Sequence, residues 1–454
     1  MTKGKTLSYS RYQWGPFYYY FSYSAFNAYY TLALRTNFKH IENVNPVEWY
    51  KFGRILNAFV SAALIAAIYI MGYQIFRIYG ALFLSLAVLF SPQRLAVDSL
   101  FRFHTMSDLF VVLIFIAIFS ILRKRSLSKF ALLGVLFSLA TTTFYIRALV
   151  IVPIIYLFLS YISKEKKFIN STTVFIITAA FMFSVIMLPV LINIDKTINH
   201  IKNQYFEAMT PADSRAEYGT ANIPKAITKW LIKDGIGCPA FLLVAFGIFI
   251  GILLKDRFYN LVISFIVAHY FFVGAFERTF HRYNAILLPF MIMIALYVIF
   301  KISLYLSKLL NSKRIKTAAI SLLIAICILP NFIQFVLIIE TSMKPHNLDL
   351  FLEWRRESQL HKVPTICTIP SIEIASRGIT SLPEVRKQQI SSNEVAEYLS
   401  ERYKILVTEF SKLPKAYSDN WRLIKVFKGG QSKGPEVYVF LNKILVKHLK
   451  KNIK

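Results

Sequence analysis

The sequence predicts an all-α polytopic membrane protein with a small C-terminal extracytoplasmic α/β domain, and three observations predict it. Of the 454 residues, 56% are hydrophobic and 16% aromatic, at a mean hydropathy of +0.50. Apolar runs such as Ala58 to Tyr73, Leu109 to Leu122, Thr173 to Leu191, Phe241 to Leu254 and Ala318 to Ile339 reach or approach the roughly 20 residues that cross a hydrocarbon core. Basic residues gather in short connections between alternate runs, and beyond about residue 344 the runs give way to mixed polar sequence.

Taken in order, residues 1–50 form an extracytoplasmic or interfacial segment. Its stretch Phe17 to Leu34 is aromatic and uncharged, and its Tyr, Ser and Asn content suits an interfacial or re-entrant helix. The start MTKGKTLSYSRYQWGPF has basic residues without an adjoining apolar core, so it is no ordinary signal peptide. A transmembrane domain then covers 51–343, with about ten spans at 54–73, 78–92, 105–122, 130–144, 146–162, 172–193, 239–254, 259–275, 284–302 and 317–340. Arg77, then Arg123 to Lys129, Lys164 to Lys167, Lys255 with Arg257, and Lys308 to Lys316 mark alternate connections as cytoplasmic. The other set faces outward: residues 1–50, 93–104, the turn near Tyr145, the long loop 194–238, residues 276–283 and the tail. In the tail, 344–454, helical patterning at Leu348 to Gln359 and Glu394 to Tyr403 accompanies strand patterns at Thr365 to Ile369, Ile405 to Glu409, Leu423 to Phe427 and Glu436 to Leu441.

The formal net charge of +29 does not imply nucleic acid, because many of the cations sit in clusters that set membrane topology. Cys238, Cys327 and Cys367 have no metal-ligand spacing, although Cys238 and Cys367 would share the oxidising side. The signatures of soluble hydrolases, nucleotide-binding loops and zinc proteases are absent. Inverted halves typical of many transporters are not evident.

Chemistry therefore rests on charged groups beside the spans. SPQRLAVDSLFRFHTMSD carries Arg94, Asp98, Arg102, His104 and Asp108. Asp108 opens the apolar run LFVVLIFIAIF, where a carboxylate needs a partner or a wet cavity, unless it serves as a helix cap. FERTFHRYNAILLPF carries Glu277, Arg278, His281, Arg282 and Tyr283 just before a span, where a guanidinium fork suits a lipid phosphate or anchors to headgroups. FYIRALVIVP adds Arg147, placed to reach the same anion or to snorkel.

Four stretches in this order resemble the GT-C superfamily of polyprenyl-phosphate-sugar glycosyltransferases, specifically relatives of protein O-mannosyltransferases and aminoarabinose transferases. They are GRILNAFVSAALIAAIYIMGYQIF, FSPQRLAVDSLFRFHTMSDLF, LLGVLFSLATTTFYIRALVIVPIIYLF and HRYNAILLPFMIMIAL. In the tail, YSDNWRLIKVFKGG and EVYVFLN also look like that family's extracytoplasmic end. The resemblance implies a multi-pass protein of the plasma (inner) membrane with its active site and tail outside the cytoplasm. It also implies a polyprenyl-phosphate sugar as donor, membrane lipids as partners, an acceptor whose identity the sequence leaves open, and no cofactor unless a divalent metal takes part. Usually the reaction inverts, a first-loop carboxylate deprotonating the acceptor while cationic side chains hold the leaving phosphate. By position Asp108 matches the acid at the start of a span after the second outside loop, and Arg282 with Tyr283 matches an Arg-Tyr before a late span. Arg147 and Arg102 join them as expected phosphate ligands, Asp98 joins Asp108 as an expected catalytic acid, and His104, Glu277, Arg278 and His281 are further candidates.

The family's first-loop acid has no counterpart, since neither Glu42 nor Glu48 stands in the expected context. The matching region begins at GPFYYYFSYSAFNAYYTL, so the expectation is a chain that starts inside the family's first outside loop. A transporter or lipid flippase, or a non-catalytic descendant of the enzymes, is the alternative reading.

Overall fold

The computed structural model describes residues 16–32, 46–99, 102–162, 168–191, 231–254, 256–274, 281–309, 313–343 and 347–357, together with residues 202 and 228 and five short strands. Two compact units divide the chain, one built on residues 1–43 and 51–335, the other on 44–50 and 336–454.

In the first unit, α1 (Pro16–Leu32) buries Tyr18 and Phe26, and the ring of Phe17 meets that of Phe110 edge-on at 5.7 Å. A helical run follows from Pro46 to Leu89 (α2), broken at Arg77, whose backbone takes φ 61° and ψ −162°. A Cβ built on Gly72 would lie 3.0 Å from the Cα of Ala81. In a continuous helix rising about 1.5 Å per residue, those positions would stand about 13 Å apart. Thus α2 is a hairpin of two helices, turning where the sequence separates 54–73 from 78–92. After the short α3 (Pro92–Asp98), α4 (His104–Arg123) and α5 (Leu127–Thr143) are apolar helices, and α4 is buried along most of its length.

The expected span 146–162 needs a correction. Phe144 is extended (φ −155°, ψ 113°), Tyr145–Val150 winds as a 3-10 turn, α6 covers only Ile151–Leu157, and Phe158–Ile162 closes as a π turn. Pro153, which offers no backbone N–H, sits where α6 begins, so the change of winding falls where regular α bonding is already incomplete.

Beyond it come α7 (Phe168–Leu191), α8 (Cys238–Leu254), α9 (Arg257–Gly274), the single turn α10 (His281–Asn284), α11 (Leu287–Leu309) and α12 (Lys313–Met343). Helices α5 and α7 approach closely at Gly134, where an added Cβ would stand 2.2 Å from Thr178 Oγ1 and 2.6 Å from the Phe175 carbonyl. Next to this seam the Ser138 hydroxyl donates to the Ala179 carbonyl at 2.7 Å.

Five described helical runs are long and apolar enough to cross a membrane, the first being the α2 hairpin within Lys51–Leu89 and the others His104–Arg123, Phe168–Leu188, Arg257–Gly274 and Leu287–Tyr305. Four apolar helices are shorter: Leu127–Thr143, Tyr145–Ser160, Cys238–Leu253 and Cys327–Glu340. Outward-facing Phe59, Ile169, Phe181, Leu242, Phe249 and Phe271 leave more than half their surface exposed, a surface that suits hydrocarbon and not water. The chain is a membrane protein. Cys238 is an exposed free thiol, and Cys327 is free and buried.

The second unit carries a five-stranded sheet in the order β2-β1-β3-β5-β4, from β1 (Thr365–Cys367), β2 (Thr380–Ser381), β3 (Ile405–Thr408), β4 (Trp421–Phe427) and β5 (Val437–Asn442). β1 pairs in parallel with β2 and β3, while β5 runs antiparallel to β3 and β4. The helix α13 (Asn347–Glu357) packs on β4 and β5 and fully buries Phe351. Strand β2 has no expected counterpart in the sequence patterns. The expected helix Glu394 to Tyr403, the segment around Glu42 and most of the loop 194–238 lie outside the described residues, as does the side chain of Glu48.

Candidate functional site

Six segments of the first unit meet at one polar centre: α2, α3, α4, the turn after Phe144, α9 and α10. In α3, Pro92 occupies the first turn, where its missing N–H costs nothing, and Arg94 and Asp98 fall one turn apart on the same face. Ser91 secures the start of α3 by donating to the Gly235 carbonyl at 3.0 Å, and the Asn331 amide donates to the same oxygen at 3.1 Å. The turn after α3 leads into α4, whose first residues are His104, Thr105 and Met106.

Asp108 does not cap α4. The residue at that cap is Phe103, with no side-chain bond, and Asp108 lies a full turn inside. Its carboxylate bridges two arginines: Arg94 reaches one oxygen at 2.6 Å and Arg147 the other at 2.7 Å, and the Asp108 and Arg147 side chains are wholly enclosed. Arg147 arrives there because the 3-10 turn after Phe144 swings it inward. Its second nitrogen donates to the Tyr283 carbonyl at 3.1 Å, and its guanidinium lies 5.3 Å from the ring centre of Phe144.

Asp98 pairs with Arg94 and accepts hydrogen bonds from Ser61 and, at 2.8 Å, from Thr105. The Asn57 amide donates to its backbone carbonyl at 2.7 Å. Burial works against the Arg94 charge, but Asp98 and then Asp108 outweigh it and hold the guanidinium above its ordinary range.

Arg282 and Tyr283 stand on α10, with the Arg282 guanidinium 5.5 Å from the Tyr283 ring centre. Burial pushes the phenol up from its ordinary value, and the charges of Arg282, Arg102 and Arg147 oppose this. His104 lies against Tyr283 with ring centres 5.6 Å apart, and the charges of Arg147, Arg282, Arg102 and Arg94 all act on it.

The expected residues Arg94, Asp98, Arg102, His104, Asp108, Arg147, Arg282 and Tyr283 thus come together. Glu277 and Arg278 lie outside the described residues, and so does the His281 side chain. Sequence reasoning missed three members. His269 on α9 is buried and places Nε2 3.1 Å from the Tyr283 carbonyl, and Asn57 and Ser61 hold Asp98. Asn57 and Ser61 carried a signal, being polar at i, i+4 spacing within an apolar run, so that both face one partner. Among the described residues no group of three His, Cys, Asp or Glu converges as metal ligands, and the oxygens of Asp98 and Asp108 are already engaged by guanidinium and hydroxyl groups.

No family model and no curated protein matches the sequence. Solved structures do. ArnT from Cupriavidus metallidurans bound to undecaprenyl phosphate superposes at a TM-score of 0.55, with 9% identity, over 94% of this chain and 88% of that one. Its apo state gives 0.54 and 10% over the same shares. The apo oligosaccharyltransferase of Archaeoglobus fulgidus gives 0.52 and 12%, over 87% of this chain and 61% of that one. At these identities the likeness is one of fold alone, shared with ArnT and the archaeal oligosaccharyltransferase.

Proposed function

We propose that this chain, built on the GT-C fold, is an integral membrane glycosyltransferase. On this reading it moves a sugar from a polyprenyl-phosphate donor to an acceptor outside the cytoplasm, in the plasma (inner) membrane. The observation that carries the reading is the buried Arg94–Asp108–Arg147 chain, which delivers Arg147 beside Tyr283 and Arg282. Undecaprenyl phosphate bound to ArnT supports the donor class.

When the acceptor oxygen attacks the anomeric carbon, the bond from that carbon to the phosphate oxygen breaks, and negative charge grows on the departing phosphate. Guanidinium groups fixed in place before the reaction stabilise that charge without reorganising. Arg282, Arg147 and Arg102 take this role, with the Tyr283 phenol beside them. Asp98 keeps 14% of its side-chain surface accessible and is the acid an acceptor hydroxyl reaches. Asp108, fully enclosed, positions Arg94 and Arg147.

The test is sugar transfer by the protein in nanodiscs from synthetic undecaprenyl-phosphate sugars. Solute uptake into vesicles containing the protein gives the opposite outcome for a transporter. Arg282→Lys should lower kcat/KM about ten- to a hundredfold, the loss of a hydrogen bond to a charged group, with thermal stability unchanged. Unchanged kinetics in the folded variant would remove Arg282 from the site.

A further inference from the structure

His104 opens α4 with 1% of its surface accessible, and among the described residues neither ring nitrogen has a hydrogen-bond partner. Aromatic rings wall it in: Phe103 at 4.1 Å, Phe144 at 5.1 Å and Tyr283 at 5.6 Å between ring centres. His269, enclosed to the same degree, behaves as a structural histidine and sets Nε2 against a backbone carbonyl.

An imidazole always carries at least one N–H donor. Enclosing it without an acceptor forfeits hydrogen bonding that water would have supplied. The charged neighbours cannot provide an acceptor, because Arg147, Arg282, Arg102 and Arg94 are donors only. A bound ligand would supply the missing acceptor. Asp98 and Asp108 balance Arg94 and Arg147, so Arg102 and Arg282 are the cations beside this ring that favour an oxygen-bearing anion as that ligand.

We propose that His104 is a direct ligand of the phosphoryl group of the bound donor and of the released polyprenyl phosphate, its N–H donating to a non-bridging oxygen. The inference rests on the donor reading above, and the experiment separates the two. Affinity for undecaprenyl phosphate is measured for the full chain in detergent, with inorganic phosphate as competitor for the free-anion arm.

The wild type binds the lipid. His104→Phe, which keeps an aromatic ring among Phe103, Phe144 and Tyr283, should bind it about ten- to a hundredfold more weakly. Competition by inorganic phosphate should weaken in step. His104→Gln, which restores a donor, should recover part of the loss. Failure of the wild type to bind the lipid would overturn the donor reading, and the inference with it. Normal binding by folded His104→Phe would overturn the inference alone, and so would weaker lipid binding with unchanged phosphate competition, which would set His104 against the lipid chain. If neither variant folds, dipolar coupling between the bound phosphorus and 15N-histidine in the wild type decides: its absence overturns the inference.

Discussion

Substituting Asn for Asp108 separates two roles that a carboxylate near a helix start can play. As a cap, Asn serves about as well as Asp, and the cost would be near zero. As the bridge between Arg94 and Arg147, the carboxylate neutralises groups with no water to turn to: the Asp108 and Arg147 side chains are wholly enclosed and Arg94 keeps 3% of its side-chain surface. Arg94 retains Asp98, whereas among the described residues Asp108 is the acid paired with Arg147. Removing one member of a buried pair costs about 3–5 kcal/mol, because the remaining charge is stranded. Asp108→Asn should therefore lose about that much unfolding free energy in mixed micelles. Asp108→Asn combined with Arg147→Gln should lose clearly less than the two single losses added, since the stranded charge is gone. A loss within about 0.5 kcal/mol for Asp108→Asn, as for an ordinary surface change, or strict additivity in the cycle, would refute the bridging argument.

Three further outcomes can be measured. Gly134→Ala forces α5 and α7 apart against the Phe175 carbonyl and should cost about 1–3 kcal/mol by the same unfolding assay; no change would mean the seam is looser than described. Arg77→Gly relieves a backbone conformation that is natural only for glycine and should gain about 1 kcal/mol, so a loss would show that the Arg77 side chain does more than the turn requires. With an impermeant maleimide on intact cells, Cys238 and Cys367 should label if their segments face outward, whereas Cys327 is buried and should not; labelling only after permeabilisation reverses the orientation.

The helices were legible because a membrane span is a statement of composition: runs such as Leu109 to Leu122 permit little else. The strands at 405, 421 and 437 were legible through β-branched and aromatic runs, while the two-residue β2 has too few side chains to show a period. The broken winding at 145–162 was hidden, since Tyr145 to Ile162 is almost uniformly apolar and hydropathy is blind to helix type. The site was legible as a roster of residues but not as a circuit. Which arginine takes Asp108 depends on where the turn after Phe144 points, and Arg147 lies far along the chain from both Asp108 and Tyr283. His269 carried the signal of an ionisable residue within an apolar run, but its partner is a backbone oxygen that no side-chain pattern reveals.

The bridging position of Asp108 also bears on how the protein enters its membrane. A lone Asp or Arg at the centre of an inserting helix costs about 2.5–3.5 kcal/mol, so the order in which charges emerge from the ribosome matters. Arg94 is synthesised fourteen residues before Asp108, and the two can cross into the bilayer boundary as a neutralised pair. Arg147 emerges later, on a turn that can wait at the surface. Its pairing with Asp108 then ties the turn after Phe144 to α4, so the ion pair joins segments that enter separately.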